Sequence, residues 1–370
     1  MNPRSLALIA GLSALTAFQV RAQSNVSIYG IVDAYAQYLD GSSRTARLQS
    51  GGMSGSRLGF RGTEDLGDGF KAIFTLEMGL NLDTGTSAQG GLAFGRQAFV
   101  GLSDSWGELT LGRQYGSLYR LAQDFNPFHT GASGPTVFTI GGFAGGYEPF
   151  RGADGTAVPP AAGATGSGGP ARINNSIRYA SPVWNGLSGS AIVGLGEVAG
   201  GAKDNRLYDL SIRYAAEPFD AYILYVSDKT SSATFQSDVG TLGFGGTYKF
   251  DQFKFYAGAI AVNDKRPADE DGRGYWAGAE YTWSRNTVRA QWLQNRPRYG
   301  TENRTNAFGV GYQYDLSKRT AVYSSITRFK NDANAGAGGL GRYSAVIPSG
   351  LTRPGDTNLT EVVAGMRHSF

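Results

Sequence analysis

The sequence predicts an all-β protein: a single transmembrane antiparallel β-barrel of sixteen strands, with short turns at one end and long loops at the other. Three observations predict it. Apolar and polar residues alternate through most of the chain, and in a strand successive side chains point to opposite faces. The connections between the alternating segments are short and long in turn. The N-terminus has the marks of an export signal and no later stretch reads as a spanning helix, so insertion into a membrane has to use closed β-structure.

Composition narrows the class further. The 370 residues include 55 Gly, 20 Tyr, 20 Phe and no Cys. Aromatic richness with low net charge excludes a disordered chain, and the glycines lack the three-residue period of collagen. Without Cys there are no disulfides, thiolate zinc sites or cysteine nucleophiles. His129 and His368 are the only histidines, too few for a histidine-based metal site. The net charge is +4, but Arg4 and Arg21 fall in the export signal, and no basic block marks a nucleic-acid partner. The 41% hydrophobic content fits a barrel that is apolar only on its outside, with water within and no central core to fill.

Taken in order, residues 1–22 read as a signal peptide. Arg4 supplies the positive start, and residues 6–18 are apolar but shorter than the roughly 18 residues a spanning helix needs. Val20-Arg21-Ala22 places small residues where a signal peptidase reads them. Residues 23–370 form one domain. In the first strand Val26, Ile28, Gly30, Val32, Ala34 and Ala36 oppose Ser27, Tyr29, Asp33, Tyr35 and Gln37. Ser56, Leu58 and Phe60 turn Arg57 and Arg61 to the other side, and Ala72, Phe74, Leu76 and Met78 oppose Lys71, Thr75 and Glu77. The same alternation returns near 177–179, 208–214, 242–250, 275–283 and 308–315, giving sixteen segments between Asn25 and Phe370. Beyond the signal no amphipathic helix stands out.

Short connections fall at 63–69, 103–107, 181–186, 215–218, 251–252, 284–286 and 315–318, and long ones include 39–52, 81–91, 116–171 and 331–357. Strands of about ten residues joined in this way are the plan of a membrane barrel. Aromatic residues crowd beside the short turns: Tyr179, Trp184, Phe219, Phe250, Phe253, Trp283 and Tyr314. Amphipathic rings prefer a membrane–water interface, so these residues form a girdle. The outward faces of the first and last strands are small (Gly30, Ala34, Ala36; Val362, Ala364, Met366), which places an oligomer contact where the chain ends meet.

Several motifs carry a resemblance. Residues 26–34 (VSIYGIVDA), 56–67 (SRLGFRGTEDLG), 94–102 (FGRQAFVGL), 111–115 (LGRQY), 175–179 (NSIRY) and the terminal 365–370 (GMRHSF) follow one another in order. Together they resemble the trimeric general porins of beta-proteobacteria over the whole mature chain. The resemblance implies a homotrimer in the outer membrane, in contact with lipid and lipopolysaccharide, whose third loop folds inward and narrows a water-filled pore. It also implies that Phe370 ends a signal read by the outer-membrane assembly machinery. Small hydrophilic solutes and ions would pass by passive diffusion, with no cofactor.

Parity places Arg57, Arg61 and Arg178 on the lumen side, together with Asp33 and Glu77. Arg96 is ambiguous by pattern. The resemblance puts it in a basic cluster with Arg57 and either Arg172 or Arg178. The third long connection, residues 116–171, reads as 56 residues without clear structure and carries Arg120, Asp124, His129 and Glu148. Rings of Arg attract anions and rings of carboxylates attract cations. The expectation is a wall of Arg57, Arg96 and Arg178 facing Asp124 or Glu148, with mild anion preference. The alternatives are neutralised arginines with little selectivity, a channel specific for organic anions, and a structural or adhesive barrel. Enzyme signatures are missing: Gly52-Met53-Ser54-Gly55 is only a fragment of a nucleophile elbow, and Gly194-Leu195-Gly196 leads into no helix.

Overall fold

The computed structural model describes residues 25–41, 44–135, 168–169, 171–196, 206–229, 231–232, 235–236, 238–265, 271–297, 304–332 and 358–370. The expected signal peptide and Glu148 lie outside these residues. Sixteen long strands close into one antiparallel barrel. In chain order they are β1 (Asn25–Asp40), β2 (Arg44–Ser50 continued as Arg57–Gly67), β3 (Phe70–Asn81) and β4 (Gln97–Asp104). Then come β5 (Gly107–Tyr115), β6 (Arg172–Ala180), β7 (Leu187–Gly194), β8 (Leu207–Ala216), β9 (Phe219–Asp228) and β10 (Val239–Phe250). The last six are β11 (Phe253–Asp264), β12 (Gly272–Trp283), β13 (Asn286–Pro297), β14 (Thr305–Asp315), β15 (Thr320–Asn331) and β16 (Asn358–Ser369).

Closure comes from β1. One edge pairs with both parts of β2, and the other pairs with β16 from Ile31↔Ser369 to Asp40↔Thr360. Phe370 continues the seam: its backbone exchanges two hydrogen bonds with Gly30, each 3.1 Å. A closed sheet has no unpaired edge, which the interior of a bilayer would penalise by several kcal/mol per exposed backbone group. Two hairpin turns show how residue choice fixes the short end. Asp68-Gly69 and Asn185-Gly186 both hold positive φ at consecutive positions, the conformation that Asp-Gly and Asn-Gly adopt most readily.

The alternation seen in the sequence is the alternation of the wall. On β8, Leu210 and Ile212 are each 54% exposed on the outside, whereas Asp209 and Ser211 are 1% and 8% exposed on the inside. An apolar outer face of this extent needs hydrocarbon around it. The aromatic girdle sits beside the short turns, with Phe253 4.7 Å from Tyr281 and Trp106 stacked on Tyr179 at 6.3 Å between ring centres.

Three features depart from the sequence reading. The third connection contains a helix, α1 (Ser117–Asp124), with Leu118, Leu121 and Ala122 buried and Arg120 exposed. At two turns it is too short for a periodicity window to register. The lumen is not apolar-free either. Inward-facing Leu224, Val226, Ile260, Trp276, Leu293 and Phe329 form one buried cluster with α1, so the loop brings an apolar core inside the barrel. Ser56 is not outward: it belongs to a six-residue insertion, 51–56, that breaks β2 opposite Val32 and Asp33, and its hydroxyl donates to the Asp33 carbonyl at 3.0 Å.

Candidate functional site

The third loop crosses the lumen along a path the wall prepares for it. Its helix lacks a side-chain cap of its own; instead the Ser117 N–H donates to the Asp209 carboxylate on β8 at 2.7 Å. Supplying an anion at this position satisfies an otherwise unpaired donor and the positive end of the helix dipole. Leu121 then presses on β10 at Gly243 and, with Phe125, at Gly245, where a side chain would collide with them. Phe125 stacks on Tyr222 at 5.6 Å, and its carbonyl accepts a hydrogen bond from Trp276 Nε1 at 2.8 Å. Pro127 occupies the space left at Gly278, and Pro135 that at Gly309.

Beyond the helix the loop is laced to itself and then to the opposite seam. His129 Nδ1 lies 2.9 Å from the Gln123 carbonyl, and the Thr130 hydroxyl donates to Gln123 Oε1 at 2.7 Å. Burial and the nearby Arg289 guanidinium hold the His129 imidazole below its usual range, so it is neutral at pH 7. The loop tip docks on the β2 insertion, with Ala132 N–H on the Gly51 carbonyl (2.8 Å) and Ser133 Oγ on the Gly52 carbonyl (2.8 Å). Gly134 N–H donates to Glu361 on β16 (2.8 Å), and Gln291 Nε2 donates to the Pro135 carbonyl (2.7 Å).

Asp33 organises that docking platform. Its carboxylate accepts from the backbone N–H groups of Gly52 (3.1 Å), Met53 (2.9 Å) and Ser54 (2.8 Å), and from the Tyr323 hydroxyl (2.5 Å). Such a concave set of N–H groups is an anion nest, here filled by the protein's own carboxylate. Parity places Asp33 on the inner face; the nest could not be read, because it depends on the strand break at 51–56.

The basic wall adjoins this platform, with the Arg96 guanidinium against Gly55 of the β2 insertion. Arg96 Nε is 2.8 Å from Glu77 Oε1, with side chains 2% and 3% exposed. Glu77 also accepts from the Tyr29 (2.9 Å) and Tyr115 (2.5 Å) hydroxyls. Tyr115 and Tyr119 stack at 3.8 Å, the Arg172 guanidinium lies 5.4 Å from both ring centres, and Arg96 donates to the Tyr119 hydroxyl at 3.0 Å. Burial pushes the Tyr119 hydroxyl up, but the guanidinium groups of Arg96, Arg57 and Arg172 outweigh it and draw it down. These tyrosines, which sequence reading missed, join the basic wall to the root of the loop.

The remaining expected residues are distributed around this centre. Arg57 Nε donates to the Gly55 carbonyl at 2.9 Å and ties the wall to the β2 insertion. Arg61 is exposed nearer the short turns, 5.2 Å from the Tyr29 ring centre. Arg120 is exposed on α1. Arg178 lies 3.5 Å from Glu108 and bonds Ser190 at 3.2 Å, so Arg172 rather than Arg178 sits with Arg96. Asp124 lies 2.8 Å from Arg213 on β8, which also holds Asp220 at 2.6 Å. Its charge therefore goes to β8 and not to the Arg57–Arg96 wall.

A closed barrel with an apolar exterior and a loop folded across a charged lumen defines a transmembrane β-barrel channel. The profile of the Gram-negative porin family matches residues 5–334, and the chain belongs to that family. It is 30% identical to an outer membrane porin of Delftia acidovorans, covering 99% of both chains. It is 28% identical to an outer membrane porin of Bordetella pertussis, covering 90% of this chain and 97% of that one. The fold superposes on an anion-selective porin from Comamonas acidovorans with a TM-score of 0.75 at 27% identity, over 94% of this chain and all of that one. OmpT of Vibrio cholerae, in its trimer form, shares the fold with a TM-score of 0.63 at 14% identity, over 94% of this chain and 99% of that one. The protein is an outer-membrane porin channel.

Proposed function

We propose that this porin is a homotrimer of anion-preferring pores that pass small hydrophilic solutes and ions down their gradients. The observation that carries the reading is the imbalance of charge around the third loop. Arg57, Arg96, Arg120 and Arg172 stand around its root, where Glu77 is bound by Arg96, Asp124 is taken by Arg213, and the carboxylates of Asp33, Asp209 and Glu361 are occupied by backbone N–H groups. Buried or narrow sites screen charge less than open water, so the surplus guanidinium groups favour anions. The relative described as anion-selective supports the same sign. The small outward faces of β1 and β16 support a trimer contact at the seam, and Phe370 at that seam fits a role in assembly. Residues 1–22 fit removal on export.

Ion substitution in planar bilayers tests the reading. Replacing chloride by a large organic anion should reduce single-channel conductance more than replacing potassium by a large organic cation, with openings grouped in threes. Absence of conductance steps, or greater sensitivity to the cation, overturns it.

A further inference from the structure

The two stacked tyrosines at the root of the third loop face opposite charges. Tyr115 on β5 donates its hydroxyl to Glu77 Oε1 at 2.5 Å, so its proton bridges a phenol and a carboxylate. Tyr119 on α1 lies 3.8 Å from it, ring centre to ring centre, and its oxygen accepts from Arg96 Nη2 at 3.0 Å. The Arg172 guanidinium of β6 stands 5.4 Å from the Tyr119 ring centre, and the charge of Arg57 on β2 also acts on its hydroxyl. Gln123 Oε1, 3.5 Å from the same hydroxyl, already accepts the Thr130 hydroxyl at 2.7 Å.

Hydrogen bonds and charges that favour the ionised form of a group let it lose its proton at a lower pH, and burial opposes this. Tyr119 is 4% exposed, yet the guanidinium groups of Arg96, Arg57 and Arg172 outweigh its burial. The groups packed around it keep their charge near neutral pH. Guanidinium groups stay protonated. Glu77 is held by Arg96 and the Tyr115 hydroxyl, Gln123 and Thr130 do not ionise, and His129 further along the loop is neutral. Arg96 and Arg172 are 1% and 0% exposed, so they act on passing ions through their field rather than by contact. A charge placed inside the same cluster changes that field directly.

We propose that Tyr119 is a specificity-determining residue of the pore and the member of the arginine wall that responds to pH. As the pH rises, the Tyr119 hydroxyl gives its proton to pore water. The phenolate oxygen left behind keeps the hydrogen bond from Arg96 and cancels one positive charge beside the loop. Anion preference then falls with rising pH. The proposal rests on the reading that guanidinium charge favours anions in this pore, and Tyr119 sets how much of that charge is expressed.

The test follows the ultraviolet phenolate band of the intact porin in detergent and its ion preference in planar bilayers over the same pH range. In the wild type about one tyrosine per chain should ionise by about pH 9, ahead of an ordinary phenol near 10. The ratio of chloride to potassium permeability should fall severalfold alongside it. Y119F should lose the early phenolate and hold a constant ratio. R57Q should raise the midpoint of the early phenolate by about 1 pH unit, the usual effect of removing one close opposite charge. A wild type with no tyrosine ionising below about pH 9.5, half a unit short of an ordinary phenol, overturns the proposal whatever the variants do. The same fall in permeability ratio in an assembled Y119F also overturns it. A pore that prefers potassium at every pH overturns the proposed anion preference. An early phenolate and a further shift towards potassium in that pore would still support the role of Tyr119.

Discussion

Arg96 and Glu77 show how one residue's environment changes the meaning of its charge. Arg96 carries a positive charge at the constriction, but Glu77 lies 2.8 Å away and both side chains are buried. Removing only the arginine leaves a buried carboxylate short of its cation, which costs about 3–5 kcal/mol. Arg96→Ala should therefore shift ion preference towards cations and lower the melting temperature. Adding Glu77→Gln should restore much of the anion preference. Reversal potentials and thermal unfolding of both variants check this, and a double variant no more anion-preferring than Arg96→Ala would contradict it. Parity shows that Glu77 faces inward, but it cannot show that Glu77 spends its charge on Arg96. That pairing depends on a rotamer and on the tyrosines arriving from β1 and β5.

The third loop is where the sequence is hardest to read. Strands announce themselves because one face meets lipid and the other water, a contrast repeated over ten residues. The loop helix meets an apolar patch inside the lumen for only two turns, and the seats of the loop are glycines on distant strands. Gly243, Gly245, Gly278 and Gly309 are visible in the sequence as inward positions without side chains, yet what fills them is not. Leu121→Ala should cost the docked loop about 2–5 kcal/mol and raise open-channel current noise; unchanged noise would show that α1 does not hold the loop. His129 gives the loop a pH dependence of definite sign. Its folded value lies below the usual 6.5, so neutral His129 favours docking above that pH, and the advantage is lost as pH falls from 6.5 towards the folded value. Current noise should rise between pH 7.5 and 5 in the wild type and rise less in His129→Gln.

At the scale of the molecule, the 41% hydrophobic content is explained by a barrel turned apolar side outward, with the loop adding a modest core within. The seam of β1 and β16 closes that barrel, and its outward alanines, Ala36 opposite Ala364, suit packing against another protomer. Ala36→Trp with Ala364→Trp separates the two environments: lipid accepts the larger apolar rings, whereas a packed protein contact does not. Gel filtration should show loss of trimers with the barrel intact. The central claim is that guanidinium charge around the third loop sets the passage of ions. The zero-current potential of the reconstituted wild type across a potassium chloride gradient tests it most directly. A potential of the sign set by chloride permeation is predicted, and Arg57→Ala with Arg120→Ala should move it towards zero; a potential of the sign set by potassium would contradict the account.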